Sequence, residues 1–212
     1  MVITYHGAES LKIQFGDTTV AYNPISKEGE LPATRFGADI ALISTNHPNM
    51  NGVDQVAFGE RVPFVIDGPG EYEVKGITVR GFPTTTSYGA KAGEKKMNTM
   101  YRLTMEGMNL VFVGALSSPD VPTESKAVFD DADILFVPIG DEGVLTPADA
   151  YKLAVGAEPK LIIPIHFGAI GQKNALEVFL KEAGEKVEPM EKLTIKKKEL
   201  EGKEGDIIVL AQ

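Results

Sequence analysis

The sequence predicts an α+β fold in which two mixed β-sheets pack face to face with helices outside them. Three observations lead there. Short strand signals dominate the first half of the 212 residues. The same scheme returns in the second half. Helical periodicity is confined to two segments late in the chain, each adjoining a continuous apolar run of the kind a sheet buried on both faces requires. The whole chain, 1–212, reads as one domain.

Leu11-Lys12-Ile13-Gln14-Phe15 alternates apolar with polar residues, as a strand with one buried face does. Gly16-Asp17 turns the chain into Thr18–Tyr22, and Asn23-Pro24 ends that strand. After a polar loop, Ala38–Ile43 is continuously apolar and reads as a strand covered on both faces. Val62–Ile66 is a further strand, and Glu71–Val74 with Ile77–Arg80 forms a hairpin about Lys75-Gly76. Residues 83–97, from Pro83 to Met97, hold a run of threonines with Ser87, Gly89 and Gly93, and read as one long polar loop.

In the second half, Thr99–Met105 and Asn109–Val113 make another hairpin, and Ile134–Pro138 and Leu161–Ile165 are buried strands. Thr146-Pro147-Ala148-Asp149 opens a helix through about Val155: the threonine caps, proline suits the first turn, and the acid favours the positive helix end. A second helix is expected from Asn174 to Ala183, with Gly184 as its C-cap. Leu193–Ile195 and Ile207–Leu210 should close the sheets.

Composition narrows the function. A hydrophobic share of 43% and a charged share of 24% belong to a globular chain. The formal charge of −9 opposes nucleic acid and anionic lipid, so neither is an expected partner. Lys196-Lys197-Lys198 is followed by Glu199 and Glu201 and reads as a solvated face. With no cysteine, thiolate metal sites and cysteine nucleophiles are excluded. Met1–His6 has no basic flank or long apolar core, and the expected compartment is the cytoplasm.

Three histidines are present, and two of them follow buried strands: His47 in Ser44-Thr45-Asn46-His47-Pro48-Asn49-Met50, and His166 after Ile165. A polar loop at a strand end is where a metal or ligand is commonly held, yet the neighbours of His47 make a poor metal cage. His6 reads as a surface or structural histidine. Glu71 and Tyr72 follow a Gly-Pro-Gly turn and read as a turn and cross-strand pair rather than a pocket rim.

Five phrases in order resemble the metallo-β-lactamase fold superfamily, in particular its branch of short Zn-dependent hydrolases similar to ascorbate-6-phosphate lactonase. They are the opening hairpin 3–24 ending in Asn23-Pro24, Gly68–Val74, Asn98–Tyr101, Gly143–Ala150, and Ile162–His166. The resemblance implies an αββα sandwich and a two-metal centre built on a His-x-His-x-Asp-His loop, in which metals lower the pKa of a bridging water to make the attacking hydroxide.

Set on this chain, the loop motif falls on Thr45 to Met50. Thr45, Asn49 and Met50 stand where the family has histidine, aspartate and histidine, and only His47 matches. A later family histidine falls near Thr86, the bridging aspartate on Ala115, and the terminal histidine is His166. The resemblance thus implies a vestigial pocket of Thr45, His47, Asn49, Met50, Thr86, Ala115 and His166 with a degenerate metal motif. No cofactor is expected, the alternative being zinc or another divalent metal on His47 and His166 with a carboxylate from Asp67, Glu71, Asp141 or Glu142. Three functions follow: a pseudoenzyme binding a small polar ligand or protein partner, a hydrolase of a lactone or phosphoester with a rearranged mononuclear site, or a structural protein that forms homo-oligomers.

Overall fold

The computed structural model describes residues 1–33 and 35–212. Thirteen strands among them form two mixed sheets. The first contains β1 (Val2–Tyr5), β2 (Leu11–Phe15), β3 (Thr18–Tyr22), β4 (Ile40–Leu42), β5 (Phe64–Ile66) and β12 (Leu193–Thr194), in the order β12-β1-β2-β3-β4-β5. The second contains β6 (Gly70–Val74), β7 (Ile77–Thr86), β8 (Lys96–Met105), β9 (Met108–Phe112), β10 (Ile134–Pro138), β11 (Leu161–Ile165) and β13 (Asp206–Ile207), in the order β13-β11-β10-β9-β8-β7-β6.

Alternation in the sequence decides the faces. Val20, Tyr22, Ile40 and Leu42 point between the sheets into the main core, while Ala21 and Ala41 point outward. Within the second sheet Phe112 stacks on its β10 neighbour Phe136 at 4.5 Å, and across the interlayer it meets Tyr22 of β3 at 4.3 Å between ring centroids. Each such aromatic pair adds about 1 kcal/mol beyond its buried area. The strands β10 and β11 are buried at every position, because two helices, α1 (Pro147–Ala157) and α2 (Ala175–Ala183), cover this end of the second sheet. Thr146 caps α1, its hydroxyl accepting the Asp149 amide at 3.1 Å, and α2 ends on Gly184 at φ 71°.

The αββα plan stands, with its outer layers unequal. Both α-helices are in the second half of the chain. The outward alanines of β3 and β4 are covered instead by Ala38, Val56 and Phe36 around a short 3-10 turn, Val53–Gln55. Methyl-sized side chains let an irregular segment lie close where larger ones would hold a helix away. The expected long loop is also shorter than its composition implies. Thr84, Thr85 and Thr86 pair with Asn98, Met97 and Lys96, so β7 and β8 project as a ten-residue ladder and only 87–95 turn. Threonine is β-branched, and its polarity hid a strand preference. The closing strands are two residues each, and Asn174 makes no side-chain cap.

Strand directions gather one set of loops. The parallel strands β3, β4, β9, β10 and β11, together with β1, all deliver their C-terminal ends to the same edge of the sandwich, where the β7–β8 turn also arrives. Tyr101 fixes that edge: its hydroxyl donates to the carbonyls of Ile43 and Ile66 at 2.8 and 3.2 Å, tying β8 to the ends of β4 and β5. Among the described residues, no helix is long and apolar enough to cross a membrane.

Candidate functional site

At that edge a polar cavity of about 200 Å³ is lined by His47, Tyr88 and His166, with Glu30 and Glu142 at its rim and Gly171 beside them. Larger clefts open elsewhere, including one of about 550 Å³ beside α1, but none of them is lined by a histidine.

His166 follows directly from β11. Its backbone adopts a left-handed conformation at φ 59°, which turns the side chain inward, and its amide is held by the carbonyl of Ala8 at 2.6 Å and the hydroxyl of Tyr5 at 3.0 Å. The ring is 1% exposed, and Nδ1 meets Oε1 of Glu9 at 3.1 Å. Glu9 is itself fully buried. Its second oxygen accepts Nδ2 of Asn23 at 2.9 Å, and the Asn23 side chain also binds Ser44 through both its amide nitrogen and its oxygen. The carboxylate therefore has partners on both oxygens, the condition under which a buried acid is tolerated. Nδ1 faces a carboxylate, so Nε2 is the nitrogen left for the cavity.

His47 is oriented in the opposite sense. Its Nδ1 accepts the backbone N–H of Asn49 at 3.2 Å, so in the neutral ring the proton resides on Nε2. Burial, helped by the charge of nearby Lys96, lowers the pKa of His47 against an opposing influence from Glu30 and keeps the ring neutral.

Between the two imidazoles stands Tyr88, its ring centroid 4.6 Å from that of His47 and 4.9 Å from that of His166. Thr86 accepts the Tyr88 amide at 2.9 Å, and Asn49 donates Nδ2 to the Tyr88 hydroxyl at 2.7 Å. Met50, Ala115 and Val144 pack with Tyr88 in a small apolar cluster. Burial, with Glu30, Glu9 and Glu142 nearby, pushes the tyrosine pKa up to about 12. The following residue must be small, because a Cβ on Gly89 would lie 2.4 Å from Cδ2 of His47.

The backbone around this cavity is unusual. Of the nine non-glycine residues with positive φ among the described residues, five belong to segments that build it: Ala8, Asn23, Asp141, Glu142 and His166. Left-handed backbone at residues other than glycine is costly and gathers at functional sites.

The side chains do not fit the two-metal centre that the family resemblance implies. Thr45 donates its hydroxyl to the Met97 carbonyl at 2.8 Å. Both ends of the Asn49 amide are engaged, Nδ2 by Tyr88 and Oδ1 by the Glu30 amide at 2.7 Å. Met50 lies in the apolar cluster with its sulfur 3.9 Å from the Ser44 hydroxyl, and Ala115 has no donor. Among the described residues, no three His, Cys, Asp or Glu side chains are grouped to hold a metal.

Of the candidates read from the sequence, His47 and His166 thus line one cavity, while Asn49, Met50, Thr86 and Ala115 all touch or hold Tyr88. Thr45 turns instead to the start of β8. Among the carboxylates considered, Glu142 reaches the rim, whereas Glu71 pairs with Arg80 across the β6–β7 hairpin at 2.6 Å. His6 is a half-buried ring stacked on Phe36. Sequence reasoning missed Glu9, Asn23 and Tyr88. A carboxylate within the first hairpin and a lone aromatic in a Gly-rich turn were the available signals.

Fold and site together define a metallo-β-lactamase-type sandwich with its loops gathered over a histidine pocket. The family model for the β-lactamase superfamily domain matches residues 2–166, and the chain belongs to that superfamily. It is similar to a UPF0173 metal-dependent hydrolase of Anoxybacillus flavithermus, 24% identical over 197 residues covering 79% of this chain and 86% of the relative. A relative of the same description from Lysinibacillus sphaericus is 26% identical over 79% of this chain and 85% of its own. Among solved structures, one assigned as a Zn-dependent hydrolase of the metallo-β-lactamase superfamily from Thermotoga maritima superposes with a TM-score of 0.75. It is 24% identical, with 99% of this chain and 97% of that one covered.

Proposed function

We propose that this chain is a non-catalytic member of the superfamily, using the pocket at the loop edge to bind a small polar ligand. The observation that carries this reading is Tyr88, whose ring stands between the imidazoles and whose hydroxyl is held by Asn49. His47 supports it independently. A metal-ligating histidine donates its other ring N–H to a carboxylate or carbonyl. Here Nδ1 accepts a hydrogen bond from the Asn49 amide and so offers no ring N–H to such a partner.

The second reading, a metal-dependent hydrolase with a rearranged mononuclear site, is favoured by the descriptions of the relatives and by His166, whose contact with Glu9 is of the carboxylate–histidine type found behind metal ligands. Elemental analysis after growth in medium supplemented with zinc, manganese and iron separates the two, paired with lactonase and phosphodiesterase assays. The non-catalytic reading expects far less than one metal per chain and no turnover. Stoichiometric metal that disappears in His166→Ala, together with activity lost in the same variant, would establish the hydrolase.

A further inference from the structure

We propose that the pocket binds a small organic cation, a guanidinium or primary ammonium group, between Glu30, Glu142 and Nε2 of His166, against the face of Tyr88. The inference rests on the reading of the pocket as metal-free.

Four features of the site support it. The side chain of His166 is almost wholly buried yet lines the cavity, and its Nε2 makes no hydrogen bond among the described residues. In the neutral ring whose Nδ1–H meets Glu9, that nitrogen is an acceptor awaiting a donor. The rim contributes two carboxylates, Glu30 and Glu142, which also only accept. Tyr88 presents an aromatic ring, the surface on which cations are stabilised by the ring quadrupole. Glu30, Glu9 and Glu142 also place negative charge near the Tyr88 hydroxyl, where they add to burial in raising its pKa.

Volume limits the size of the ligand. A cavity of about 200 Å³ accommodates a group of a few heavy atoms. The opposing charge is Lys96, whose Nζ lies beside Gly89 on the His47 side of the cavity and acts on that ring. It leaves the side of the pocket formed by His166 and Glu142, with Glu30 on the rim, as the cation's place. Glu142 stands in a left-handed turn with Asp141, at φ 48° and 56°.

The test is a calorimetric titration of the full chain with methylguanidinium, methylammonium, methylurea, acetate and zinc chloride. Methylguanidinium and methylurea are close in shape and differ in charge. The expected result is saturable one-to-one binding of methylguanidinium, at least tenfold tighter than methylurea, with no heat from acetate. Because Glu30 and Glu142 are exposed, Glu30→Gln with Glu142→Gln should fold normally and weaken cation binding about tenfold or more. Equal binding of the two isosteres, binding untouched by the double substitution, or no binding of either cation would overturn the inference and leave the metal-free reading standing. Tight one-to-one zinc binding abolished by His166→Gln would overturn the metal-free reading itself.

Discussion

The two histidines of the pocket lie on opposite walls and are supported in opposite ways. His166 comes off a strand buried at every position and is locked by Glu9, Asn23, Tyr5 and Ala8, residues from the first hairpin and the strand next to it. His47 sits in the loop after β4 and, among the described residues, takes its only ring hydrogen bond from its own loop, two residues on. One imidazole is fixed by long-range contacts buried in the fold, the other by a local turn. The two rings thus differ in what orients them, and such surroundings decide which nitrogen of a neutral imidazole carries the proton.

The largest effect should come from breaking the His166 wall. Glu9→Ala leaves a buried imidazole and the Asn23 amide without their acceptor, and should cost about 3 kcal/mol in urea denaturation. His47→Gln, on the loop wall, should cost under about 1 kcal/mol by the same measurement. A result in which the two are equal would remove the contrast. Tyr88→Ala should come next, at about 2 kcal/mol, because it empties the space between the walls. A crystal structure of that variant is expected to show the two imidazoles facing one enlarged cavity.

Smaller effects bear on the proton positions. Long-range ¹H–¹⁵N correlation of the neutral rings should find the Nε2–H form for His47 and the Nδ1–H form for His166; the same tautomer on both would contradict the geometry. The pH dependence follows from burial. Since the folded-state pKa of His47 is lowered, neutral His47 contributes stability that is full above its unfolded pKa near 6.5 and is lost as pH falls through the folded value. Between pH 7 and 5, denaturation midpoints should fall less steeply in His47→Gln than in the unaltered chain.

Most of the fold was legible because it rests on patterns that survive in one dimension. The alternation in Leu11–Phe15, the closed apolar runs of β10 and β11, and the capping of α1 by Thr146 each map directly onto local geometry. The threonine ladder of β7 was obscured because its strand preference comes from branching at Cβ while its polarity suggests a loop. The site was half legible. His47 and His166 stood out at strand ends, and the loop motif marked Asn49, Met50 and Ala115. Glu9 and Tyr88 could not be placed from the sequence, since their roles depend on pairing across 157 residues in one case and on the reach of a ten-residue ladder in the other.

That ladder has a further effect. Because β7 and β8 carry Tyr88 into the site on a short turn, the phenol is a covalently tethered occupant, present at an effective concentration on the order of millimolar or more. A free molecule that needs the phenol's volume competes against a rival that cannot diffuse away, and its apparent affinity falls by the fraction of time the tether is displaced. A molecule that settles on the ring meets no such competition. Under the ligand-binding reading, the hairpin would therefore favour ligands that stack beside an aromatic group over those that would replace it.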